Sequence, residues 1–151
     1  MILNLGSGRR PIEGAVNLDN KRLPGVDWIF DLENTIKIPL PFRDNTFSEV
    51  KAFHIMEHIR NFIPLMNELH RVCKIGARIR IDVPHYTNPL FYDDPTHVRS
   101  FSSRTFCWMC LPENAELIGL KAFNLIASVF LGEPYNKEKP TVVAAELEVL
   151  K

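Results

Sequence analysis

With 151 residues, 46% of them hydrophobic and 24% charged, the chain can form one domain burying about 68–70% of its unfolded surface, which excludes a disordered or fibrous protein. Eighteen basic residues offset eighteen acidic ones, so the chain lacks the electrostatic footprint of a nucleic-acid or anionic-membrane binder. Three cysteines, no run approaching about 20 apolar residues, and an N-terminal MILNLGSGRR without a signal-peptide core predict a cytoplasmic protein with no membrane span.

Met1 to Leu5 is a short apolar run stopped by Gly6, Ser7 and Gly8, which predicts a buried strand entering a tight turn. Ala15 to Leu18 is a second strand, ending at Asp19, and Val26 to Phe30 a third, ending at Asp31. The turn-rich IPLPFRDNT follows, and Ser48 to Phe53 predicts a fourth strand that runs into HIMEH at 54–58. Next comes a helix, with Asn61 placed to cap it and Pro64 in its first turn. Phe62, Met66, Leu69 and Cys73 give it one apolar stripe, and Gly76 is placed to end it. Ala77 to Val83 alternates with the strand period and stops at Pro84. Ser102 to Leu111 predicts a shorter helix, and Glu116 to Leu131 and Thr141 to Leu150 two long closing strands joined by GEPYNKEKP. Strands separated by helices or crossover loops predict an α/β fold with a largely parallel sheet, in a single domain over 1–151.

Three of these strands carry charge on one face. Glu49 and Lys51 oppose Val50 and Ala52; Arg78, Arg80 and Asp82 oppose Ile79, Ile81 and Val83; Glu146 and Glu148 oppose Leu147 and Val149. A doubly covered parallel sheet is apolar on both faces. The loops after the first two strands are also too short for full crossover helices. Both observations predict that the helical layer on one face is reduced or missing, leaving a charged face to water or to a second copy in a homodimer.

The turn after the first strand lets backbone approach a ligand where open α/β sheets bind ligands, but Pro11 stands where a dinucleotide fingerprint needs its third glycine. Asp19 can accept both hydroxyls of a ribose bound over that turn, although an Asp-Asn pair followed by charges is also turn chemistry. Asp31 repeats the arrangement at the end of the third strand.

Taken in order, LNLGSG, NLD, DLE, IPLPFRDNTFSEVKAFHIMEHI and ELHRVCKIGARIRIDVPH resemble the class I S-adenosylmethionine-dependent methyltransferases, in particular the small methyltransferase-domain type, from Leu3 to about His85. DPTHVRSF at 94–101 is similar to segments of short members. The resemblance implies a Rossmann-like, mostly parallel sheet with an antiparallel closing strand, and S-adenosylmethionine as cofactor. It implies that Leu5, Gly6, Ser7 and Gly8 pass under the methionine part, that Asp19 holds the ribose hydroxyls and that Asp31 and Leu32 face the adenine. His54 would border the sulfonium and its methyl. The sequence departs from the family at Asn4, where an acid is usual, and in having no full helix between its first two strands.

HIMEH also matches H-x-x-E-H, the inverted zinc-protease spacing, with His54 and His58 as ligands and Glu57 activating water. That chemistry needs both imidazoles one turn apart on a helix. His54 ends a strand, so the two should diverge and no metal site is expected. Cys107 and Cys110 form a single CxxC without a second pair and read as small buried hydrophobes. The segment 85–101 mixes aromatic and polar residues as a pocket wall or a structural loop would, and His97 or His54 would serve if the reaction needs a general base. These features predict methyl transfer to a small-molecule, glycan-like or lipid-like acceptor. The alternatives are a non-catalytic module binding S-adenosylmethionine or S-adenosylhomocysteine and, less favoured, a zinc hydrolase using His54, Glu57 and His58.

Overall fold

The computed structural model describes the backbone of residues 1–133 and 136–151, and their side chains apart from residues 90 and 130–141. Its strands are β1 (Ile2–Leu5), β2 (Ala15–Asp19), β3 (Trp28–Ile29), β4 (Phe47–Phe53), β5 (Cys73–Pro84), β6 (Phe123–Glu133) and β7 (Asn136–Val149). They form one seven-stranded sheet in the order β3-β2-β1-β4-β5-β7-β6. Pairing is parallel from β3 through β5, and β7 lies antiparallel between β5 and β6. The mostly parallel Rossmann-like sheet is thus present, and its strand order reverses between β1 and β4.

The helices are α1 (Phe62–Val72), α2 (Thr105–Met109) and α3 (Pro112–Ile118), with 3₁₀ turns at Leu32–Ile36 and Met56–His58. α1 buries Phe62, Leu65, Met66, Leu69 and Val72 in one cluster with Val50, Ala52, Ile79, Ile81 and Leu147 from the apolar sheet face. On the opposite face the charged residues meet one another. Arg80 Nη1 lies 3.7 Å from Glu49 and its Nε 3.6 Å from Glu146, while Arg78 approaches Glu146 at 3.8 Å and Glu148 at 3.9 Å. These pairs follow the register, which sets Glu49 beside Arg78 and Arg78 beside Glu148. Arg80 on this face is half exposed, so among the described residues the helical layer is reduced or missing where the strand faces predicted it.

Several elements differ from expectation. α1 stops at Val72 and β5 begins at once, so Gly76 does not end the helix; at φ 73° it sits in a β5 irregularity between the Phe47–Cys73 and Glu49–Arg78 pairs. Asn61 does not cap α1 with its side chain; the Glu33 carboxylate accepts the Arg60 and Asn61 backbone N–H groups at 2.7 and 3.0 Å instead. The expected strand from Glu116 begins with helix α3, bounded by Pro112 in its first turn and Gly119 in the left-handed region at φ 68°. β6 and β7 take up most of the expected GEPYNKEKP connection, of which residues 134–135 lie outside the described residues. Among the described residues no helix is long and apolar enough to cross a membrane.

Candidate active site at the carboxyl ends of β1 to β4

Ligands of open α/β sheets bind outside the carboxyl ends of the strands where strand order reverses. Here that point lies between Gly6 after β1 and His54 after β4. Gly6 at φ 65° and Gly8 at φ 51° are both left-handed, which an L side chain rarely adopts. Ser7 N–H donates to the Leu18 carbonyl at 3.0 Å, and Gly8 N–H donates to Asp19 Oδ2 at 2.8 Å. Asp19 Oδ1 accepts from Lys21 N–H at 2.9 Å, so this carboxylate joins two strand-end turns. A carboxylate offers about four lone pairs, leaving capacity on Asp19 beyond these two bonds.

Two clefts meet at Gly6. The larger, about 720 Å³, is lined by Gly6, Ser7 and Gly8 on one side and by Phe53 and His54 on the other. The smaller, about 120 Å³, is lined by Asp19, Phe30, Asp31, Leu32, Ile55 and His58. Their combined size suits a small organic ligand. Ser7 Oγ is buried beside the larger cleft with no hydrogen-bond partner among the described residues. A Cβ on Gly8 would meet nothing within 4 Å, so the backbone there faces open space. Gly6 differs, because a Cβ there would fall 2.5 Å from Ile55 Cγ1. Part of the glycine signal therefore serves the packing of Ile55.

Of the expected residues, Gly6, Ser7, Gly8 and His54 line the larger cleft, and Asp19, Asp31 and Leu32 the smaller. Leu5 is fully buried beneath them. Asp31 Oδ1 caps the 3₁₀ turn by accepting Glu33 N–H at 3.0 Å. His54, at φ 53°, donates its backbone N–H to the Asp82 carbonyl at 2.8 Å. The Glu57 carboxylate, 3.6 Å from His54 Nδ1, raises the His54 pKa above its ordinary value against the opposing effect of burial. His97 lines neither cleft. Its ring packs on Phe91 and His58, with centroids 5.0 and 4.7 Å away, and its Nδ1 bonds the Phe91 carbonyl at 2.7 Å.

Asn4 and Asn17, neighbours in the β1–β2 register, escaped notice as a pair. Asn4 Nδ2 donates to Asn17 Oδ1 at 2.8 Å and to the Arg10 carbonyl at 3.1 Å. Asn17 Oδ1 also accepts Ile12 N–H, and Asp27 Oδ2 accepts the Asn17 backbone N–H, at 2.8 and 2.7 Å. This buried network fastens the short connection that replaces the helix between β1 and β2. The available signal was an asparagine in the middle of each of two adjacent apolar strands, ILNL and AVNLD.

No family model and no curated protein matches the sequence. Solved structures do match the fold. A SAM-dependent methyltransferase from Mesorhizobium loti superposes with TM-score 0.69 at 13% identity, over 97% of this chain and 90% of that one. One from Archaeoglobus fulgidus gives TM-score 0.65 at 17% identity, over 97% and 85%. Burkholderia thailandensis 1,6-didemethyltoxoflavin-N1-methyltransferase, with bound 1,6-didemethyltoxoflavin and S-adenosylhomocysteine, gives TM-score 0.65 at 14% identity, over 99% and 71%. The strand order, the glycine turn at its reversal and these superpositions agree: the chain has the fold of the class I S-adenosylmethionine-dependent methyltransferases.

Proposed function

We propose that this protein is an S-adenosylmethionine-dependent methyltransferase acting on a small-molecule, glycan-like or lipid-like acceptor. The observation that carries this reading is the glycine turn at the sheet's switch point, flanked by the buried Ser7 hydroxyl, unpartnered among the described residues, and by the Asp19 carboxylate. The residues fit the cofactor: Gly8 leaves room for close approach, Ser7 Oγ offers a hydrogen bond, and Asp19 has lone pairs for ribose hydroxyls. Leu5 to Gly8 would form the floor under its methionine part, and Asp31 and Leu32 the wall beside its adenine. When bound, that cofactor supplies an electrophilic methyl group on its sulfonium.

An acceptor must be held about 3–3.5 Å from the methyl, and an oxygen or nitrogen acceptor must also lose a proton. His54 borders the larger cleft, whereas His97 lines neither, so His54 takes precedence in contacting the acceptor. A homodimer through the charged sheet face would leave these strand ends open, since that face lies along the strands rather than at their carboxyl ends.

A second reading, a non-catalytic cofactor-binding module, is favoured by Asn4. Both of its amide hydrogens are committed to Arg10 and Asn17 where the family usually has an acid. Turnover separates the two. Protein given methyl-labelled S-adenosylmethionine and fractionated small-molecule, glycan and lipid extracts should release S-adenosylhomocysteine in molar excess over enzyme with at least one fraction. Asp19→Ala should abolish that release. Cofactor binding without release from any fraction would establish the module and overturn the enzyme.

A further inference from the structure

At the border of the smaller cleft, which His58 also lines, the turn after β4 and the loop after β5 bring together a second set of chemistry-bearing side chains. A carboxylate oxygen of Glu57, a ring nitrogen of His58 and a ring nitrogen of His97 all lie within 4.8 Å of one another. Among the described residues this is the one group of three or more His, Cys, Asp or Glu side chains so placed. His54 is not a member, so the H-x-x-E-H pairing of a zinc protease does not form.

Each imidazole is oriented by a neighbour. His97 Nδ1 lies 2.7 Å from the Phe91 carbonyl, which can only accept, so Nδ1 carries the proton and Nε2 the lone pair. His58 Nδ1 lies 2.9 Å from Thr96 Oγ1, whose own hydrogen is committed to Asp94 Oδ1 at 2.6 Å. Thr96 can therefore only accept from His58, and the His58 lone pair is on Nε2 as well. Metal-binding histidines typically donate the non-ligating N–H to a carbonyl or toward a carboxylate in this way.

The third member is Glu57, which is 1% exposed. Its Oε1 faces His54 Nδ1 at 3.6 Å, but its Oε2 is buried with no hydrogen-bond partner among the described residues. A buried carboxylate oxygen without a partner is costly unless something positive meets it. The nearest competitor for His97 is Asp94 Oδ2, 3.8 Å from its Nε2 and too far for a hydrogen bond. Two backbone bonds already hold the loop here, since Val98 and Arg99 N–H both donate to the Glu57 carbonyl, at 2.9 and 3.2 Å.

We propose that Glu57, His58 and His97 bind one divalent first-row transition-metal ion, Zn²⁺ foremost, which clips the loop after β5 onto the turn after β4. Two imidazoles and one carboxylate form a ligand set suited to Zn²⁺ and also to Fe²⁺. Zinc–nitrogen bonds of about 2.0–2.1 Å place tetrahedral ligands roughly 3.3 Å apart, so the three side chains draw together when the ion binds.

The test uses the full chain, freed of metal by chelation and then given Zn²⁺, Fe²⁺ under anaerobic conditions, or Co²⁺ as a spectroscopic probe, with no nucleoside present. The expected result is one equivalent of Zn²⁺ retained through dialysis, visible absorption bands from low-coordinate Co²⁺, and an unfolding midpoint raised by roughly 5–10 °C at saturating Zn²⁺. Preference for Fe²⁺ at the same stoichiometry would keep the site and change its ion. Glu57→Gln and His97→Ala should each lower affinity at least 100-fold, while His70→Ala, an imidazole outside the cluster, should not change it. Should Glu57→Gln fail to fold by circular dichroism, His58→Ala on the less buried ligand gives the same reading. Absence of a bound equivalent, or stoichiometry unchanged in all three ligand variants, would mean an adventitious ion only and overturn the proposal.

Discussion

Ile55 packs so closely on Gly6 that a methyl group there would lie 2.5 Å from its Cγ1, while a methyl on Gly8 would meet nothing within 4 Å. Both glycines are left-handed, so alanine at either position costs about 1–2 kcal/mol in backbone strain. At Gly6 the overlap with Ile55 adds about 1–3 kcal/mol. Thermal unfolding should therefore place Gly6→Ala well below Gly8→Ala. Adding Ile55→Ala to the Gly6 variant would relieve the overlap but not the strain. Equal midpoints for the two single variants would mean that Ile55 does not sit where the structure has it. Gly8→Ala should instead act on ligand affinity, because its new methyl projects into the cleft. The sequence displayed the glycine turn and the acids ending the strands, since each is a local signal with a local cause. Ile55 as the partner of Gly6 could not be read, because that contact joins chain segments separated by three strands. HIMEH was legible only in part: the strand end makes His54 diverge from His58, but only tertiary folding brings His97 to Glu57 and His58.

Among the elements, the connection between β1 and β2 departs from the full helix that the resemblance implies there. In place of a helix it is a short turn stitched by Asn4 and Asn17, and Asn4 supplies donors to two acceptors, the Arg10 carbonyl and Asn17 Oδ1. Placing at position 4 the acid usual in class I methyltransferases should therefore harm the fold. Asn4→Asp would face two acceptors with no donor in a site only 5% exposed, at an expected cost of about 1–3 kcal/mol near neutral pH. Protonation returns one donor, so the folded-state pKa of the new carboxyl lies above its unfolded value. The associated stability is present below the unfolded pKa and lost as pH rises through the folded one. Urea titrations from pH 3.5 to 7 should show the deficit of the variant growing with pH; a variant as stable as the parent at pH 7 would contradict the network. Helix ends were poorly legible for a related reason. Gly76 resembles a helix stop, but Cys73 already pairs with Phe47, and strand pairing ended α1 before the glycine was reached. α3 did carry its signals in Pro112 and Gly119, and the apolar content after Glu116 hid them.

At the scale of the molecule, the one-sided sheet was legible because charge alternates along three strands with period two, and the register then sets Arg80 among Glu49 and Glu146. The order β3-β2-β1-β4-β5-β7-β6 is not written in any local pattern; the resemblance implied only a mostly parallel sheet with an antiparallel closing strand, and the order itself stands in the pairings. That order matters because its reversal brings Gly6 and His54 to one edge and leaves Asp19 beside them. On the proposed function, this edge is a nucleoside cofactor site. Isothermal titration with S-adenosylhomocysteine tests it most directly, using the parent chain, Asp19→Ala and a Zn²⁺-saturated sample. Stoichiometric binding to the parent, weakened 10-fold or more in Asp19→Ala by loss of charge-assisted hydrogen bonds worth about 1.5–3 kcal/mol, is the predicted result. No heat of binding in either metal state, or equal affinity in parent and variant, would contradict it.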